Sequence, residues 1–121
     1  MSVVPSPLPG VTDIHVHIQP WRQLKPKVAE VMKRGKEEHW RHLMALMDDP
    51  KLLIEELDRS KIWRVGLINY PSPDLMGFTD ETNEFAAQYA SHNPERLLPF
   101  GGVHPRFTED PEGQVEHLLS L

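Results

Sequence analysis

An α/β fold built from parallel strand–helix units is what this sequence predicts, and three observations carry the prediction. Strand-like and helix-like stretches alternate from one end of the chain to the other. The two later strand-like runs, residues 62–70 (IWRVGLINY) and 97–103 (LLPFGGV), are almost continuously apolar, the mark of strands covered on both faces. Between the strands, apolar residues recur at i, i+3, i+4 and i+7, the spacing of one buried helix face.

The elements follow in order. Residues 1–10 (MSVVPSPLPG) carry three Pro and one Gly and read as an extended arm, so the folded unit is expected to span 11–121. Residues 11–18 (VTDIHVHI) alternate polar and apolar with the period of a strand, and Pro20 closes the run. Residues 21–26 read as a loop. Val28, Val31 and Met32, then Trp40, Leu43, Met44 and Met47, define two helical stretches broken at Gly35. Asp49-Pro50 starts a third helix, with Asp as cap and Pro where a missing N–H costs nothing. Its stripe is Leu53, Ile54 and Leu57, and it ends near Arg59.

Beyond the second strand, Pro71-Ser72-Pro73-Asp74 is a sharp stop. Thr79, followed by Asp80 and Glu81, caps a helix with the stripe Phe85, Ala86, Tyr89 and Ala90, and Asn93-Pro94 ends it. Pro99 argues against a central position for the third strand unless it lies at the strand's start. Asp110-Pro111 caps a last helix with Val115, Leu118 and Leu119 as its stripe, and the chain is expected to stop inside that helix.

Composition narrows the function classes. The chain has 121 residues, 39% apolar and 26% charged, which suits a single globular domain. Thirteen Lys and Arg against eighteen Asp and Glu give a net charge of −5, which argues against nucleic acid or an anionic membrane as the main partner. With no Cys there is neither a disulfide framework nor a thiolate metal site. No apolar run approaches a membrane span, and the first residues lack a basic start and apolar core, so the cytoplasm is the expected location.

The chemistry centres on the first strand. Period-two alternation puts Asp13, His15 and His17 on one face and Ile14, Val16 and Ile18 on the other. A row of carboxylate, imidazole and imidazole needs a polar object to face, and a divalent metal is the simplest, since neutral imidazole is a standard zinc ligand. The alternative is a solvated edge strand or hydrogen-bonded core histidines. With seven His in the chain an H-x-H arises by accident about 0.4 times, and requiring Asp two places earlier lowers this to about 0.02. His15 and His17 are therefore the metal-ligand candidates. In parallel βα units, chemistry gathers at the carboxyl ends of the strands, which makes Asn69, Tyr70 and His104 the candidate catalytic or substrate-orienting residues. For each of the three, a local backbone-satisfying role is an equal alternative. Asp13 reads as support for a His tautomer or the neighbouring backbone. Trp21 is a candidate pocket wall, Trp40 and Trp63 read as packing, and His39 and His42 read as part of a solvated helix face.

These residues carry a family resemblance. The D-x-H-x-H stretch resembles the first metal-binding strand of the amidohydrolase superfamily. RVGLINYPSP and TNEFAAQYASHNPERLLPFGGVHP resemble its amidohydrolase-related branch of metal-dependent hydrolases and decarboxylases. The resemblance runs from Thr12 to about His104. It implies a TIM-type (β/α)8 barrel with a divalent metal, zinc first and manganese second, acting on a small-molecule substrate such as a carboxylic acid. It places His15 and His17 as the two first-strand ligands. A barrel of this kind needs roughly 250 residues, so the chain is expected to hold about three of eight units. The remaining ligands, typically a His from the fifth strand, often one from the sixth, and an Asp from the eighth, are expected beyond Leu121. His104 is a candidate third ligand in a rearranged fragment. A catalytically silent fragment that pairs with a second copy or a complementing chain is the alternative reading.

Overall fold

The computed structural model describes residues 10–121 of the chain. Residues 1–9 of the expected extended arm lie outside the described residues. Three strands, β1 (Thr12–Val16), β2 (Arg64–Ile68) and β3 (Leu97–Phe100), form one parallel sheet in the order β1-β2-β3. Five helices connect and follow them: α1 (Pro26–Lys33), α2 (Glu37–Asp48), α3 (Pro50–Ser60), α4 (Glu81–Ala90) and α5 (Pro111–Leu119). A short 3₁₀ turn at Trp21–Gln23 precedes α1. The α/β class and the parallel sheet agree with the sequence pattern. No helix among the described residues is long and apolar enough to cross a membrane.

The helix boundaries follow from local chemistry. Gly35, at φ +71°, breaks α1 from α2 in the left-handed region that glycine enters freely. The Asp49 carboxylate accepts from Lys51 N–H at 3.0 Å and Asp110 accepts from Gly113 N–H at 3.1 Å, so both Asp-Pro pairs cap as expected. The helix after Asp80 receives its cap from Thr79, whose hydroxyl accepts from Glu81 N–H at 3.3 Å. At the other end of α3, Lys61 takes the left-handed conformation usually left to glycine, and Ile62 N–H reaches back to Leu57 O at 2.9 Å.

One face of the sheet carries the core. Val65, Leu67 and Leu97 are fully buried and pack with Leu46, Met47, Leu53, Leu57, Tyr89 and Ala90, which come from α2, α3 and α4. Removing that apolar surface from water is the main stabilising effect, at about 25 cal/mol per Å². Across β2 and β3, Arg96 stitches the entry ends together. Its guanidinium donates to Trp63 O at 2.7 Å and Ile62 O at 3.1 Å, pairs with Asp58 at 2.7 Å, and lies 5.0 Å from the Trp63 ring centre.

The other face is largely uncovered, and here three expectations change. Ile14 is 63% exposed, so of the expected aliphatic row only Val16 in β1 and Ile18 just past it reach the core. The third strand ends at Phe100, and Pro99 and Phe100 are exposed, so β3 is not covered on both faces; it lies at an edge of the sheet. That is where a residue without an N–H belongs. The apolar stripe of α5 is also unburied, with Val115 and Leu119 both exposed. The helix does not run to the last residue: it ends at Leu119, with Ser120 N–H bonded to His117 O. On the open face Gly66 leaves no room for a side chain, since a Cβ there would meet Ile14 O at 2.7 Å and the Phe100 ring at 2.8 Å.

Candidate functional site

Strand β1 pairs with β2 through Thr12 opposite Arg64, Asp13 opposite Val65 and Val16 opposite Leu67. Three residues of β1 thus span two of β2, the signature of a bulge. By register, Asp13 and Val16 share the side of Val65 and Leu67, and the imidazole positions on either side of Val16 take the open side. This corrects the expected row of Asp13, His15 and His17, because the extra residue shifts Asp13 out of it. The Asp13 carboxylate instead accepts from His15 N–H at 3.1 Å and shapes the bulge.

The bulge brings the two imidazoles together. His15 Nε2 and His17 Nε2 are 3.1 Å apart, with the rings nearly perpendicular at 79° and their centres 4.8 Å apart. His17 Nδ1 lies 2.9 Å from Ile68 O. A carbonyl oxygen only accepts, so Nδ1 carries a proton; in the tautomer this favours, the lone pair of Nε2 turns toward His15. In this tautomer His15 Nε2–H donates into that lone pair. A divalent cation would be held by the same two nitrogens, His15 Nε2 and His17 Nε2. The backbone-anchored Nδ1–H is the support that metal-bound imidazoles ordinarily have. The donor set therefore fits a divalent metal through two ligands. Among the described residues no group of three His, Asp or Glu side chains gathers to hold one.

The candidate residues at the other strand ends divide into different roles. Tyr70, 37% exposed, sets its ring 5.9 Å from that of His17 at 87°, so it stands beside the pair. Asn69 is buried, and its Oδ1 lies 2.8 Å from the hydroxyl of Thr82. His104 occupies a turn. Its Nδ1 accepts N–H bonds from Arg106 at 3.1 Å and Phe107 at 3.2 Å, which leaves the proton on Nε2, 3.9 Å from Asp74. With Nδ1 committed to backbone, His104 closes its loop and does not join the imidazole pair as a third ligand. Trp21 is a core residue, packed on Phe78 at 6.1 Å between ring centres, rather than a pocket wall. Trp63 is buried and Trp40 packs against the core. His42 pairs with Glu56 across α2 and α3, and His39 is exposed, so neither serves the site.

Sequence reasoning missed the polar clasp under this rim. Gln19 and Thr82 are fully buried, and Thr82 Oγ1 lies 3.1 Å from Gln19 Oε1 as well as 2.8 Å from Asn69 Oδ1. One hydroxyl proton serves one oxygen. Hydrogen-bond accounting gives it to Asn69 and turns the Gln19 amide so that its NH₂ donates to Thr82 Oγ1. Asn83 exchanges two bonds of 2.9 Å with the N–H and C=O of Gly102. The tips of β1, β2 and β3 are thereby tied to the first turn of α4. The signal was present: Gln19 continues the period of His15 and His17, and Thr82 precedes Ala86 and Tyr89 on the buried stripe of α4.

Two surface hollows lie elsewhere. Hollows of about 230 and 260 Å³ adjoin Pro50 and His92 and include none of His15, His17, Asn69, Tyr70 or His104 in their lining. The candidate site is therefore taken at the imidazole pair, where two donor nitrogens face each other at 3.1 Å. What fold and site define together is an α/β protein carrying two facing imidazoles at the tip of a parallel strand. No family model, curated protein or solved structure matches the chain.

Proposed function

We propose that the chain is part of a metal-dependent hydrolase of the amidohydrolase superfamily, with the sheet as the first portion of a TIM-type (β/α)8 barrel. One observation carries the reading: His15 Nε2 and His17 Nε2 face each other at 3.1 Å while Ile68 O fixes the tautomer of His17. Zinc is the first choice of metal and manganese the second. When bound, a divalent cation lowers the pKa of a coordinated water toward neutrality and polarises a carbonyl-type carbon.

The chain's own residues supply the rest. His15 and His17 present two neutral nitrogens, and the backbone of β2 keeps one of them deprotonated on the open side. Tyr70 flanks the pair, and the Gln19, Asn69 and Thr82 clasp stiffens the strand tips that carry it. The exposed rim leaves access for a small-molecule substrate, and a carboxylic acid is the class the family resemblance favours. Decarboxylation of such an acid is the variant chemistry on the same donors.

Two imidazoles are fewer than the three protein ligands of a catalytic zinc. The reading therefore requires further donors from another segment or a second chain, seated on the uncovered face with Ile14 and Phe100. Zinc titration by calorimetry tests it, comparing the wild-type chain with the His15→Ala/His17→Ala double variant. Weak binding lost in the variant is the expected result, and equal affinity removes the metal-site claim. Robust hydrolysis by the 121-residue chain alone would remove the requirement for additional donors.

A further inference from the structure

Resting on the reading of His15 and His17 as a cation site, we propose that Tyr70 is a positioning residue. Its ring, braced by Phe78, holds the His17 imidazole in the orientation in which Nε2 faces His15.

Five aromatic rings run in sequence from the exposed pair into the core. His15 meets His17 at 4.8 Å, His17 meets Tyr70 at 5.9 Å, Tyr70 meets Phe78 at 5.7 Å, and Phe78 meets Trp21 at 6.1 Å. The first, second and third contacts are close to perpendicular, at 79°, 87° and 79°, the edge-to-face arrangement that aromatic quadrupoles favour. Phe78 is fully buried and Trp21 nearly so, which anchors the inner end.

The backbone around Tyr70 is equally constrained. Tyr70 precedes Pro71, which confines it to extended conformations. Ser72 then bridges to Phe78 through Ser72 N–H and Phe78 O at 2.8 Å, and Ser72 O accepts from Gly77 N–H at 2.8 Å. The loop that presents Tyr70 is pinned to the core through Phe78. When a cation replaces the His15–His17 contact, an exposed imidazole anchored at Nδ1 pivots about that one hydrogen bond. A perpendicular ring beside it restricts the pivot, which keeps Nε2 aimed at that cation. Groups that orient a ligand in this way typically change metal affinity 10–100-fold when removed.

Cobalt(II) is the probe, because its visible absorption reports ligand geometry as well as occupancy. Tyr70→Ala and Tyr70→Leu are expected to bind cobalt about tenfold more weakly, with an altered visible spectrum. Tyr70→Phe, which keeps the ring, is expected to restore both within about twofold. Tyr70→Leu preserves bulk and serves where the alanine variant does not fold. A residue that merely stabilised the fold would shift the melting temperature and leave the spectrum of the bound form unchanged. Wild-type affinity and spectrum in the alanine and leucine variants would overturn the positioning role while leaving the cation site standing. Binding that survives in His15→Ala/His17→Ala, or that is absent in the wild type, would overturn both.

Discussion

His17 Nδ1 donates to the carbonyl oxygen of Ile68 at 2.9 Å, and that bond joins the chain just past β1 to the tip of β2, one residue beyond the last paired positions, Val16 and Leu67. It decides which nitrogen of His17 is available to a ligand. The carbonyl belongs to the central strand, flanked by buried Leu67 and Asn69. An exposed imidazole thus acquires a defined tautomer from a buried backbone.

The clasp beneath the pair gives the first prediction. Thr82→Val keeps the shape of the side chain but leaves two buried amides without their shared hydroxyl. The expected loss is about 1–3 kcal/mol of unfolding free energy, measured by urea denaturation. An unchanged midpoint and slope would contradict the hydrogen-bond accounting given for Gln19, Asn69 and Thr82.

Arg96 gives the second. Its side chain is 7% exposed and answers Asp58 and two carbonyls, so Arg96→Met strands acceptors at the start of β2. About 2–3 kcal/mol of destabilisation is expected. Arg96→Lys should recover only part of it, because an ammonium cannot reproduce the planar fork. Full recovery by lysine would show that charge alone matters there.

Lys61 is in the left-handed region at φ 58°, which costs a residue with a Cβ about 1–2 kcal/mol. Lys61→Gly relieves this and gives back some unfolded-state entropy, so a net gain of about 0.5–1 kcal/mol is expected. A lowered melting temperature would mean that the side chain contributes something beyond the cap.

Much of this architecture was legible because short-range chemistry dictates it. Asp49-Pro50 and Asp110-Pro111 capped their helices as the residues require, and Gly35 broke α1 from α2 where a positive φ was needed. The convergence of His15 and His17 followed from alternation over two residues. The bulge did not, because it arises from pairing with β2, fifty residues away, and it removed Asp13 from the imidazole row. The exposure of Ile14, Phe100 and the α5 stripe is likewise a property of what packs where, which hydrophobic pattern alone does not contain. Buried polar residues such as Gln19 and Thr82 escape notice because their partners lie far apart in the chain.

A pH-dependent feature sits at the surface between the first 3₁₀ turn and α2. Arg22 donates to both oxygens of Asp48, at 2.7 and 2.8 Å, and this holds the Asp48 carboxyl below its ordinary value of 3.8. A depressed folded-state value means the pair's contribution is present above the unfolded value and fades as pH falls through the folded one. Both groups are exposed and screened, so the effect is read by carboxyl NMR titration rather than by melting. Arg22→Ala should return the Asp48 midpoint toward 3.8; an unmoved midpoint would contradict the pairing.

The central claim is that His15 and His17 form a common grip on a cation, and a crystal of the chain soaked in zinc tests it most directly. Anomalous scattering is predicted to place one zinc about 2.0–2.1 Å from both Nε2 atoms, with His17 Nδ1 still bonded to Ile68 O. Zinc bound elsewhere, with the two rings left hydrogen-bonded to each other, would contradict the account.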